Sequence, residues 1–279
     1  MNDNNTLRPE DYLEPECPLC ETPYGTAPQI KPVPQQRIIE KMDEYMSRRD
    51  YAGAERHLLY WLEEAKLGND LRGQLMIRNE LIGHYRKTNN KEKAIASGEE
   101  ALRLVKLLDF DGTISSGTTY TNYATALNAF GENEKSLQLF QKARTVYEAA
   151  ERTSPELLGG LYNNMALTCV AAGLYPQAYE LYEKALEKMA TVPNGVLEMA
   201  ITYLNIANAE EAEKGMEAAE TRIFELLDKA AELLDTPSVP HDGYYAFVCE
   251  KCAPVFAYYG YFMNAEDLKK RAEDIYAGN

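Results

Sequence analysis

Apolar residues recur at spacings of three and four along most of the chain. Between positions 133 and 152, Leu137, Phe140, Ala143, Val146 and Tyr147 form one such stripe, as an amphipathic helix with one buried face requires. Ala101, Leu102, Val105 and Leu108 form another. No run alternates apolar and polar positions with strand-like composition, so the pattern predicts an all-α fold. Helix starts are placed by capping chemistry. Asn133 is read as a cap, because its side chain can accept a bond from an orphan amide. Ser154 followed by Pro155 is read as a cap and first-turn pair, and Pro176 as the equivalent proline of the next helix. Gly68, Gly131 and Gly173 fall where helices should end, in a left-handed turn that glycine adopts at little cost.

The helices repeat in pairs. Small residues at Ala54, Ala94, Ser136, Ala178 and Ala219, with Ala265 as a weaker sixth, are separated by 40, 42, 42, 41 and 46 residues. Two antiparallel helices and two short turns fill that period. A second series, Trp61, Ala101, Ala143, Ala185 and Leu226, and a third, Ile82, Ala124, Ala166 and Ala207, keep the same period. Trp61 and Leu226 interrupt the small-residue rule in the first and fifth repeats; in the first, a large ring can cover an edge that lacks a neighbour. The repeats span approximately 35–70, 71–112, 113–153, 154–193, 194–238 and 239–279.

Leu161-Tyr162-Asn163-Asn164-Met165-Ala166, then Leu174-Tyr175-Pro176-Gln177-Ala178-Tyr179 and Leu181-Tyr182-Glu183-Lys184-Ala185-Leu186, resemble the tetratricopeptide repeat (TPR) family. The form is the long repeat of kinesin light chain and related bacterial proteins. Ala166, Ala178, Tyr182 and Ala185 match the family's small and aromatic positions. The resemblance covers roughly residues 35 to 277. It implies a right-handed superhelical solenoid of about six helical hairpins, in which the first helix of each hairpin lines a concave groove. It also implies a non-enzymatic module that binds a protein or an extended peptide.

On the family pattern the inward positions are Asn79 and Glu80, Thr121 and Asn122, Asn163 and Asn164, then Leu204 and Asn205. Asn122, Asn164 and Asn205 are equivalent, 42 and 41 residues apart. An amide carries two donors and an acceptor, and the resemblance implies that Asn79, Thr121, Asn122, Asn163, Asn164 and Asn205 clamp a peptide backbone; exposure to water alone is the alternative. Tyr45, Tyr85, Tyr123, Tyr162 and Tyr203 are expected to pack between helices, as rings with one polar end do. Arg86 and Lys87, near the far end of a first helix, either hold a peptide carboxylate or face water.

Residues 1–34 read differently. Pro9, Pro15, Pro18, Pro23, Pro28, Pro32 and Pro34 leave no room for a useful helix before Gln35. This extended segment is a tail or a strap against the solenoid. The alternative function is therefore a structural or self-associating scaffold whose groove holds its own N-terminal segment.

Charge and cysteine usage narrow the partners. With 29 basic and 44 acidic residues, the formal net charge of -15 disfavours nucleic acid and anionic membrane. Met1–Glu16 has no apolar stretch fit for export, and no later run could span a bilayer. Five cysteines, an odd number, fit a reducing compartment, so a cytoplasmic location is expected. Cys17-Pro18-Leu19-Cys20 and Cys249-Glu250-Lys251-Cys252 share one spacing, and four thiolates could complete one structural Zn site. Burial of Cys249 and Cys252 as small hydrophobes, or redox pairing of Cys17 with Cys20, are the alternatives. No other cofactor is expected. Asp109-Phe110-Asp111-Gly112-Thr113 is similar to the first motif of the haloacid dehalogenase family, whose chemistry needs a strand before it. A helical stripe precedes it here, so it is read as an inter-repeat turn. His57, His84 and His241 lie in different repeats with no catalytic partner, so no enzyme is expected.

Overall fold

The computed structural model describes residues 30–278, and within them the ordered elements are all helices. They run α1 (Gln35–Ser47), α2 (Tyr51–Leu67), α3 (Leu71–Lys87), α4 (Lys91–Leu107), α5 (Ile114–Ala129) and α6 (Asn133–Ala149). The second half continues with α7 (Pro155–Ala171), α8 (Tyr175–Met189), α9 (Val196–Lys214), α10 (Met216–Leu234), α11 (Gly243–Tyr258) and α12 (Phe262–Ala277). Consecutive helices pair as six antiparallel hairpins. Each hairpin packs on the next, and α3, α5, α7, α9 and α11 stand side by side in that order.

Capping chemistry sets the turns. Asp50, Asp70, Asn90, Thr113, Ser154 and Asp242 each accept a bond from a first-turn amide, and Pro155 follows Ser154 as expected. Asn133 departs from its expected role. It is the first residue inside α6, whose cap is Glu132 without a side-chain bond, and its Nδ2 donates to the Ala171 carbonyl at the end of α7. It therefore ties two repeats together. Gly131 and Gly173 take left-handed backbone, but Gly68 does not; Asn69 takes that conformation beside it. Gly68 is required for a different reason. A Cβ there would lie 2.4 Å from the Lys31 carbonyl oxygen, because Lys31 N–H donates to the Gly68 carbonyl at 2.8 Å. Two residues on, the Val33 amide donates to the Asp70 carboxylate at 2.9 Å. Residues 31–33 thus lie along the α2–α3 turn.

The small-residue series is the close-approach series. Ala54, Ala94, Ser136, Ala178, Ala219 and Ala265 are all buried, as are Ala101, Ala143, Ala185 and Leu226. Trp61 is half-buried against the N-terminal hydrophobic cluster. That cluster and a larger one share α3, which gives Ile77, Leu81 and Tyr85 to the first and Leu75 and Ile82 to the second. The core is therefore a file along the array, the arrangement in which each repeat is stabilised by its neighbours. Tyrosines link the repeats further. Tyr85 donates to Glu55, Tyr162 to Glu148, Tyr179 to Glu213, and Tyr259 to Asn208 and Glu211.

The array curls until its ends meet. Arg49, in the first hairpin's turn, forms an ion pair with Glu250 of α11. Asp43 and Met46 of α1, Lys87 of α3 and Tyr244 and Phe247 of α11 line one cavity of about 1140 Å³. Because α1, α3 and α11 all face this hollow, the first helices of the hairpins lie on the inside of the curve.

Candidate functional site

The inner wall carries the asparagines in pairs. The Asn122 amide donates to Asn79 Oδ1 at 3.1 Å, joining α5 to α3. One turn lower, Asn79 Nδ2 donates to Thr119 at 3.1 Å and to the Leu75 carbonyl at 3.0 Å. The same bond recurs between α9 and α7, where Asn205 Nδ2 donates to Asn163 Oδ1 at 3.0 Å and Thr202 donates to the same oxygen at 3.2 Å. Asn163 is buried, with 6% of its surface exposed. Asn79 and Asn163 are therefore joints between neighbouring helices, and Asn122 and Asn205 each spend one donor on them.

Between α5 and α7 the pairing is interrupted. Thr121 occupies the position of Asn79 and Asn163, and its hydroxyl donates to Gly117 O of its own helix at 2.9 Å. Asn164, half-exposed on α7, is left with no side-chain partner among the described residues, while its backbone carbonyl accepts from Thr168. Gly160, one turn before Asn164, faces open space, as does Gly83 on α3. Asn164 thus keeps a complete amide half-exposed on α7, between the α5 and α9 helices that carry Asn122 and Asn205.

Charged groups sit at one end of this wall. The surrounding protein raises the Glu80 carboxyl pKa by desolvation, with Asp43 adding to the rise. Desolvation lowers the Arg86 pKa. Lys87 lies over the Tyr51 ring at 5.4 Å, at the seam between the first and last hairpins. This seam had no signal in local sequence, because its residues come from opposite ends of the chain.

The described thiols do not fit a metal centre. Cys249 and Cys252 are buried in α11; burial raises both pKa values, that of Cys252 to about 12, which opposes the thiolate a zinc ion needs. Cys17 and Cys20 lie outside the described residues, among which no three His, Cys, Asp or Glu side chains gather around one point. Cys169 is likewise buried. The Asp109–Thr113 stretch forms the α4–α5 turn: Asp109 and Gly112 take left-handed backbone, and Asp111 accepts from Tyr120. No helix among the described residues is long and apolar enough to cross a membrane.

No family model and no curated protein matches the chain. Solved structures do. A Podosopora anserina protein of nearly identical TPR-like repeats, named for kinesin light chain, superposes with a TM-score of 0.50 at 16% identity, over 74% of this chain and 96% of that one. A single-substitution variant of that protein gives 0.51 at 17% identity, over 74% and 95%. BtubC (BKLC) from P. vanneervenii gives 0.45 at 18% identity, over 88% and 92%. At these identities the likeness is one of fold: the chain is similar to TPR-like repeat proteins, an all-α solenoid of helical hairpins.

Proposed function

We propose that the chain is a non-enzymatic module that holds an extended peptide or protein segment against its inner wall, with Asn164 at the centre of the contact. The observation that carries this reading is the free Asn164 amide, placed between Asn122 and Asn205 where Thr121 interrupts the pairing. A carboxamide can donate to a peptide carbonyl and accept from a peptide N–H at once. It can therefore hold main chain without reading side chains. The inter-helix bonds made by Asn79 and Asn163 keep the neighbouring helices at a fixed spacing, so the clamp is organised before a peptide arrives.

The test begins with selection of binders from a random peptide library displayed to the full chain. Titration then compares the native chain with the Asn122→Ala, Asn164→Ala double variant. Losing two to three net hydrogen bonds of about 1 kcal/mol each should weaken binding at least about tenfold, with helicity unchanged. Equal affinity would exclude the asparagine clamp.

A second reading, a self-associating scaffold, draws on the last hairpin. Phe262 and Met263, at the start of α12, are 66% and 85% exposed, which is unusual for adjacent large apolar side chains. Light scattering on the native chain and on Phe262→Ser, Met263→Ser separates the readings: a concentration-dependent dimer lost in the variant supports the scaffold, and a monomer in both excludes it.

A further inference from the structure

We propose that the seam between the first and last hairpins is a docking site for the chain's own acidic N-terminal segment, within residues 1–29. The seam cavity, about 1140 Å³, exceeds the roughly 300–1,000 Å³ of ordinary small-molecule sites. Met46, Tyr51, Tyr244 and Phe247 give it apolar walls. Lys87 and Lys251 stand on opposite sides, and neither forms an ion pair with another described residue. Of the acidic groups in the lining, Glu250 is already engaged by Arg49, which leaves Asp43.

The N-terminal segment matches that chemistry. Residues 1–29 contain Asp3, Glu10, Asp11, Glu14, Glu16 and Glu21 against Arg8 alone, a balance of one positive and six negative charges. Tyr12 and Leu13 lie inside the densest acidic run, and Pro9 and Pro15 flank them. The path is short enough. Lys31 is tied to Gly68 at the C-terminal end of α2, and the seam lies at the other end of that helix, about 25 Å away at 1.5 Å per residue. The 17 residues between Leu13 and Lys31 can extend about 55 Å. Tyr12 and Leu13 could then fill the aromatic walls while Glu10, Asp11 and Glu14 meet the two lysines. This concerns the seam alone and does not depend on peptide binding by Asn164.

The experiment places the photoreactive residue p-benzoyl-phenylalanine at position 247 of the full chain, where the native Phe247 is partly exposed. After irradiation of the monomer, crosslinked peptides are mapped by mass spectrometry. The expected result is intrachain crosslinking to residues 7–24, with a yield that falls at least fivefold on Lys87→Glu plus Lys251→Glu. Circular dichroism checks that the exposed substitutions leave the helices intact, and Lys87→Gln plus Lys251→Gln, if needed, gives the same reading at lower charge contrast. Crosslinks confined to α1–α3, crosslinks only between two copies, or a yield indifferent to the lysines would each overturn the proposal. Asn164→Ala, which breaks no bond between helices, should leave the crosslink yield unchanged, so failure of the clamp and failure of the docking proposal remain distinguishable.

Discussion

Arg49 and Glu250, 201 residues apart, form an ion pair that joins the first hairpin to the last. The pair is partly exposed, so its contribution to stability is under about 1 kcal/mol. Its effect on shape is larger than its effect on stability, because a small rotation at each of five inter-hairpin joints accumulates at the ends. Glu250→Arg sets two guanidinium groups against each other. The radius of gyration from X-ray scattering should rise while the melting temperature barely moves, and adding Arg49→Glu should restore the compact value. An unchanged radius in the single variant would mean that the ends are held together by other contacts.

Glycines inside the helices provide a second test. A Cβ at Gly98 would lie 2.3 Å from the Tyr123 ring, and one at Gly117 the same distance from the Tyr147 ring. Helix propensity alone favours alanine by up to about 1 kcal/mol, yet the rings leave no room. Gly98→Ala and Gly117→Ala should each destabilise by about 1–3 kcal/mol through overpacking, measured by urea denaturation. Gly160→Ala, at an open site on α7, should instead be neutral or stabilising.

These contrasts show how far local sequence reaches. The repeat period, the pairing of helices and the buried small positions are legible because each depends on residues within one or two turns. Ser154-Pro155 is legible for the same reason. Gly98 and Gly117 are not, since the demand for glycine is set by a tyrosine on the next helix. Asn133 has the composition of a cap, but the neighbouring Ala171 carbonyl claims its amide. The division of the asparagines into joints and a free clamp depends on Thr121 bonding within its own helix, and the seam depends on curvature summed over the array.

Asp70 caps α3 and also holds the incoming chain. Its carboxylate accepts from Gly73 N–H and Val33 N–H, both at 2.9 Å. Asp70→Ala removes a cap worth about 1 kcal/mol and leaves the Val33 amide unpaired, at a further cost of about 1–3 kcal/mol. Asp50 accepts from Gly53 N–H as a cap only. Asp50→Ala should therefore cost at most about half as much in the same denaturation assay, and equal losses would show that the Val33 bond contributes little.

His84 confers pH dependence. It is buried, its Nδ1 has no partner, and desolvation holds its pKa below the ordinary value despite the opposing pull of Glu55. The unfolded chain therefore binds the proton more readily than the fold does. The neutral ring's contribution is full above the unfolded pKa of about 6.5 and declines as pH falls from there toward the lower folded value. Calorimetry at pH 7.5 and 5.5 should show a smaller drop in melting temperature for His84→Phe than for the native chain. The same drop in both would assign the pH dependence to other groups.

Recognition of main chain by Asn164 is best tested by a backbone scan of a selected peptide bound to the native chain. Each peptide bond is N-methylated in turn, and each side chain is replaced by alanine. If Asn164 and its neighbours hold main chain, methylation at one or two central bonds should lower affinity about tenfold, and the loss should shrink in Asn164→Ala. Most side-chain replacements should matter less. Affinity governed by side chains, with methylation tolerated throughout, would refute the clamp.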